Sequence, residues 1–111
     1  MNNINHMIIV KNKKTYLGKG EYIGRPSVLG NPFTHIQDGT LAKYVVKNRE
    51  ESVSKYEEWI RNEIESNSLV NKEICRLVEK YRKDGQLVLV CWCSPLLCHG
   101  DIIKKIIEEK L

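Results

Sequence analysis

Eleven consecutive residues near the C-terminus, Cys91-Trp92-Cys93-Ser94-Pro95-Leu96-Leu97-Cys98-His99-Gly100-Asp101, gather three thiols, an imidazole and a carboxylate. They follow an apolar run of strand type and lead into an amphipathic helix. Gly100 allows close backbone approach, and the unpaired N–H groups at a helix start favour an anion. Cys98, His99, Gly100 and Asp101 therefore stand where a phosphate, or the hydroxyls beside it, would be held. For turnover, the candidates are His99 or Asp101 as acid–base and Cys98 as a nucleophile, because a thiolate is favoured at a helix N-terminus. The plainer alternative is that Asp101 caps the helix and His99 is a solvated loop residue.

A second candidate is Tyr22-Ile23-Gly24-Arg25-Pro26-Ser27-Val28-Leu29-Gly30-Asn31-Pro32-Phe33. It has neither the Gly-Lys-Ser/Thr of a phosphate loop nor the G-x-G-x-x-G spacing of a dinucleotide fingerprint. It does place Gly24, Arg25, Gly30 and Asn31 on a loop stiffened by Pro26 and Pro32. Arginine clamps phosphate bidentately, and asparagine reads a base edge or a sugar hydroxyl. The alternative is a turn-rich connection with a surface arginine.

Metal is the chemical rival. Cys91, Cys93, Cys98 and His99 form a Cys₃His set, a known zinc combination, although the C-x₂-C spacing of a zinc knuckle is missing. On a strand, Cys91 and Cys93 share a face, so joint ligation fits, and so does a role as small core residues. No cofactor is expected, with zinc the alternative.

These residues need elements to position them. Met7 to Val10 reads as a short β-branched strand, and Gln86 to Cys93 as a nearly continuous apolar central strand buried on both faces, as in a parallel or mixed sheet covered by helices. Thr34 to Val46, with Asp38-Gly39 inside it, reads as a β-hairpin. Asn48 caps a first helix with Glu51 in capping-box position, and Val53, Tyr56, Ile60 and Ile64 form its apolar face. A second helix starts at Asn67 or Ser68, carries Val70, Ile74, Leu77, Val78 and Tyr81, and stops at Asp84-Gly85. The last helix carries Ile102, Ile103, Ile106, Ile107 and Leu111. The expected fold is a single α/β domain over residues 1–111, its mixed sheet flanked by helices and carrying the hairpin as an insertion.

Composition sets the outer limits. A chain of 111 residues that is 41% hydrophobic and 29% charged supports one folded domain and argues against disorder. The net charge of +4 is mild, and basic residues on the helices alternate with acids, so nucleic acid is not an expected partner. No run approaches the roughly 18 apolar residues of a membrane span. Met1 to His6 has no basic region leading into an apolar stretch, so the expected location is the cytosol, with reduced thiols.

Three segments together resemble a known family. The run Tyr-Ile-Gly-Arg-Pro-Ser-x-Leu-Gly-Asn-Pro-Phe at 22–33, Tyr56-x-x-Trp59, and Cys-Trp-Cys-x-Pro-x-x-Cys-His-Gly-Asp at 91–101 look like domain of unknown function 4326, a family of phages and bacteria. The resemblance runs from about residue 8 to 107. It implies significance for Arg25, Gly30, Asn31, Pro32, Tyr56, Trp59, Cys91, Trp92, Cys93, Cys98, His99, Gly100 and Asp101. The family is also broadly similar to small Rossmann-like domains that handle nucleotide-derived signals in bacterial conflict. The resulting expectation is a domain that binds a nucleotide-like or ADP-ribose-like small molecule, to sequester or to process it. Arg25 and the amides near Gly100 would hold phosphate, and Asn31 and Asp101 would take ribose or base. Trp59 or Trp92 would stack on a base, with a core role preferred for Trp92. A homo-oligomer sharing its sites fits so small a domain. The alternatives are a nucleotide or N-glycoside hydrolase and a zinc-stabilised protein-interaction module.

Overall fold

Six residues, Gln86–Cys91, with Leu87, Leu89, Val90 and Cys91 buried, form the strand on which the sheet is built. The computed structural model describes residues 7–34, 44–66, 68–92 and 96–111. In chain order the elements are β1 (Met7–Asn12), β2 (Glu21–Tyr22), β3 (Phe33–Thr34), β4 (Tyr44–Val45), α1 (Arg49–Ser66), α2 (Ser68–Asp84), β5 (Gln86–Cys91) and α3 (His99–Glu109). Strand β5 lies between β1 and β2, and both pairings are parallel. Met7 sits opposite Gln86 and Asn12 opposite Cys91, while Tyr22 sits opposite Val90. The carboxyl ends of all three strands therefore open on one edge.

The sheet is thus parallel, and the expected mixed sheet is corrected. A nearly continuous apolar run marks a strand covered on both faces, and such a run suits a parallel and a mixed sheet alike. The expected hairpin is also not what the described residues show. Its two flanks, β3 and β4, pair parallel to each other in a separate two-stranded ladder. A two-residue Asp-Gly turn closes only an antiparallel pair, so these flanks are not the arms of such a hairpin. Asp38-Gly39 itself lies outside the described residues.

Leu87, Leu89 and Cys91 point from β5 into the main core, where they meet Ile8 of β1 and the inner faces of the helices. On α1 that face is Val53, Tyr56 and Ile60, on α2 it is Val70, Ile74, Leu77, Val78 and Tyr81, and on α3 it is Ile103, Ile106 and Ile107. These spacings of three and four are the helical period seen in the sequence. The first helix is capped as expected: the Glu51 N–H donates to Asn48 Oδ1 at 2.8 Å. The Glu51 carboxylate reaches one residue beyond the usual box and accepts the Lys47 N–H at 2.8 Å. Among the described residues, no helix is long and apolar enough to cross a membrane.

Candidate functional site

The start of α3 is built by the residues that the sequence singles out. Cys98 is its N-cap, with extended backbone; the Cys98 Sγ accepts the Gly100 N–H at 3.4 Å, and the Asp101 carboxylate accepts the Cys98 N–H at 3.1 Å. This reciprocal arrangement satisfies two donors that a helix start leaves unpaired. Asp101 is thereby a capping residue, yet it stays exposed on the outer side of the turn. Gly100 is buried, and a Cβ there would lie 2.8 Å from Val10 Cγ1 and 3.1 Å from Ile23 Cδ1. Its hydrogen thus serves the contact of α3 with β1 and the residue after β2. Gly100→Ala should lower stability by about 1–2 kcal/mol, crowding outweighing the gain in helix propensity, as a urea melt would show.

His99 is not a solvated loop residue. It is only 7% exposed, and its Nε2 stands 2.7 Å from the Ile23 carbonyl oxygen, 76 positions away in the chain. A carbonyl only accepts, so the neutral ring carries its proton on Nε2 and turns the Nδ1 lone pair toward Cys98 Sγ, at 3.4 Å. Burial above all, assisted by the Arg25 charge, holds the imidazole pKa down to about 4 against the opposing pull of the Ile23 hydrogen bond and Asp101. The ring is neutral at pH 7. Tyr56 meets it edge-on, with centroids 5.1 Å apart.

The loop 23–33 is held from α1 by two residues one turn apart on its buried face, Ser52 and Tyr56. The Tyr56 hydroxyl donates to the Leu29 carbonyl at 2.7 Å, and burial first, then the Cys98 thiol, pushes its pKa well above the ordinary tyrosine range. Asn31 is buried: its Nδ2 donates to Ser52 Oγ at 2.9 Å and its Oδ1 accepts the Phe33 N–H at 2.8 Å. The Ser52 hydroxyl donates in turn to the Phe33 carbonyl at 2.9 Å. Arg25 lies across the same loop, with Nη1 donating to the Asn31 carbonyl at 2.8 Å and to the Phe33 carbonyl at 3.4 Å. The loop folds so tightly that a Cβ on Gly30 would stand 3.0 Å from Arg25 Cα, and one on Gly24 would stand 2.5 Å from the Tyr22 hydroxyl.

The two segments predicted to carry chemistry are therefore brought together at the carboxyl edge of the sheet, joined by the hydrogen bond between His99 and Ile23. Within the pair, Asn31, His99, Gly24, Gly30 and Gly100 are packed or bonded inside the protein, while Arg25 is half-buried and Asp101 exposed. Trp92 departs from its preferred core role: it is 50% exposed, just past the last residue of β5. Trp59, by contrast, packs against the core, 5.6 Å from the Tyr56 ring. Sequence reasoning passed over Ser52, whose signal was a small polar residue one turn before Tyr56 on an apolar helix face. It also passed over Lys13, whose ammonium lies 5.5 Å from the centre of the Tyr22 ring.

Cys91 and Cys98 bring their sulfurs to 3.1 Å of each other in the core. Cys93 lies outside the described residues. Among those described, no three His, Cys, Asp or Glu side chains are grouped to hold a metal ion. Cys75 is exposed on α2 and belongs to neither segment.

No curated protein and no solved structure matches the chain. The family model described as Domain of unknown function (DUF4326) matches residues 8–109, nearly the whole length, and it spans both segments of the site; the chain belongs to that family.

Proposed function

We propose that the domain binds a phosphate-bearing small molecule of nucleotide type, in the class of ADP-ribose, at the carboxyl edge of the β1-β5-β2 sheet. The observation that carries this is the hydrogen bond of 2.7 Å between His99 and Ile23, which places the Arg25 loop beside the start of α3. Ligands of open parallel sheets bind at that edge, where the chain leaves a strand for a helix. A parallel sheet whose central strand leads into α3 is also the arrangement of Rossmann-like nucleotide domains.

The roles divide by what each side chain is already doing. Among the described residues, the Nε and Nη2 groups of Arg25 make no hydrogen bond, so they can take a phosphate while Nη1 holds the loop. The N–H groups of Cys98 and Gly100 serve the cap, so Arg25 is the main anchor and the helix dipole assists it. The exposed carboxylate of Asp101 suits ribose hydroxyls. Asn31 and His99 act by positioning the loop. Binding alone would make the domain a sink for a nucleotide signal of the kind phages meet in their hosts. Turnover would make it a hydrolase, and product analysis of the incubated ligand separates the two.

A thermal-shift series with ADP-ribose, cyclic ADP-ribose isomers, NAD and cyclic dinucleotides tests the proposal. At a hundredfold excess over Kd, a binder adds about 2.7 kcal/mol, a rise of several degrees. Arg25→Ala should weaken that ligand about tenfold or more. If none of these compounds moves the midpoint, the proposal fails.

A further inference from the structure

Trp92 lies at the same edge, exposed and firmly anchored. Strand alternation puts Cys91 into the core and turns the next side chain outward. Its Nε1–H donates to the Tyr22 hydroxyl at 2.9 Å, and that hydroxyl donates onward to the Arg25 carbonyl at 2.7 Å. Its own carbonyl accepts from Asn12 Nδ2 at 3.0 Å, and the neighbouring Cys91 carbonyl accepts the Lys13 N–H at 2.7 Å. Lys13 and Trp92 therefore flank one end of the β1–β5 ladder, with the Lys13 ammonium over the Tyr22 ring.

A half-exposed indole contributes little to the core, yet this one is tied at side chain and backbone to two strands and to the Arg25 loop. Its polar edge is satisfied inside the protein, so what it offers outward is ring face. A fixed ring face bonded to Tyr22, whose own ring carries the Lys13 ammonium and whose hydroxyl holds the Arg25 carbonyl, suits a planar aromatic group carrying a nearby anion. From this we infer that Trp92, held by Tyr22, is the stacking platform for the base of the ligand, and that Lys13 faces its anionic portion. The inference rests on the nucleotide proposal above and deepens it, by assigning the end of the site that distinguishes a nucleotide from a sugar phosphate. Stacking on an aromatic ring is tolerant of base identity, so the platform selects for a base without selecting strongly among bases.

Calorimetry with AMP, ADP-ribose and ribose 5-phosphate tests this, the last sharing the sugar and phosphate of AMP but lacking the base. The wild-type domain should bind AMP at least about tenfold more tightly than ribose 5-phosphate. Trp92→Ala should weaken AMP and ADP-ribose by about 5- to 150-fold and leave ribose 5-phosphate unchanged. Trp92→Phe, which keeps a stacking ring, should retain most of the preference and guards against a folding defect. Equal affinity for AMP and ribose 5-phosphate, or AMP binding unchanged in Trp92→Ala, overturns the platform and leaves the phosphate site standing. Absence of binding by both AMP and ADP-ribose overturns the platform as well, and the wider thermal-shift series then decides the site. Light scattering gives the remaining outcome: a dimer that Trp92→Ala converts to monomer, with AMP affinity unchanged, would make Trp92 and the exposed Leu96 and Leu97 a contact between copies instead.

Discussion

His99→Ala should lower the unfolding free energy by about 3–4 kcal/mol. Two losses combine. The Ile23 carbonyl loses its partner in a buried setting, which costs about 1–3 kcal/mol, and the space left beside Tyr56 adds the penalty of a cavity. Acid should reproduce part of this loss in the wild type. The imidazole pKa is about 4 in the folded chain and about 6.5 in an unfolded one, so between these values the unfolded state binds the extra proton. Stability then rises with pH across that window: the contribution is complete above pH 6.5, declines as the pH falls, and is gone near pH 4. The separation of the two values corresponds to about 3 kcal/mol. Urea melts of wild type and His99→Ala at pH 7, 5.5 and 4 would show their difference shrinking by that amount. Ion-paired carboxylates such as Glu57, which Lys105 and Arg61 hold below the ordinary carboxylate range, affect both proteins alike and cancel in the difference. A difference that stays constant from pH 7 to 4 would mean that His99 is not buried in its neutral form.

Asn31→Ala is expected to cost about 2–3 kcal/mol, large for a polar residue on a loop. The change removes the acceptor of the Phe33 N–H and the donor to Ser52 in one step, and both bonds lie in a region with little water to replace them. Ser52→Ala should cost about half as much, because it removes one hydroxyl bridging Asn31 and the Phe33 carbonyl. The double variant should be less damaging than the sum of the two, by about 1 kcal/mol, since each change disables what the other partner provides. A double-mutant cycle measured by denaturant unfolding reads this coupling directly; strict additivity would show that the two side chains act independently. The functional consequence follows from Arg25, whose Nη1 rests on the Asn31 and Phe33 carbonyls. Loosening that loop releases the guanidinium from its fixed position.

The helices were legible because their information is local. Val70, Ile74, Leu77 and Val78 repeat at the helical period, Asn48 and Glu51 sit at capping distance, and Gly85 follows the last turn of α2. The apolar run at Gln86–Cys91 likewise announced the strand at the sheet centre. Direction was only partly legible: a run apolar on both faces suits a parallel or a mixed sheet, and nothing local marks the parallel pairing of β3 with β4. The site was legible as two segments, because arginine, asparagine, histidine and aspartate stand among glycines and prolines there. Their individual roles were not. His99 can be buried because the Ile23 carbonyl, 76 positions away, accepts its hydrogen bond, and Asn31 because Ser52 meets it from α1. Such partners are set by the tertiary fold and leave no mark on local spacing. Trp92 depended on where β5 ends: had the strand run on into a covered face, the indole would have been core, as its apolar neighbours suggested.

In the proposed ligand site, the Arg25 loop and the start of α3 act together at the carboxyl edge of the sheet. An amide-resolved NMR titration of the isotope-labelled domain with ADP-ribose tests it most directly. Saturable shifts are expected at Gly24, Arg25, His99, Gly100 and Asp101 and at the indole N–H of Trp92, with the outer face of α2 around Cys75 unaffected. Shifts centred on α2, or none at millimolar ligand, would contradict it.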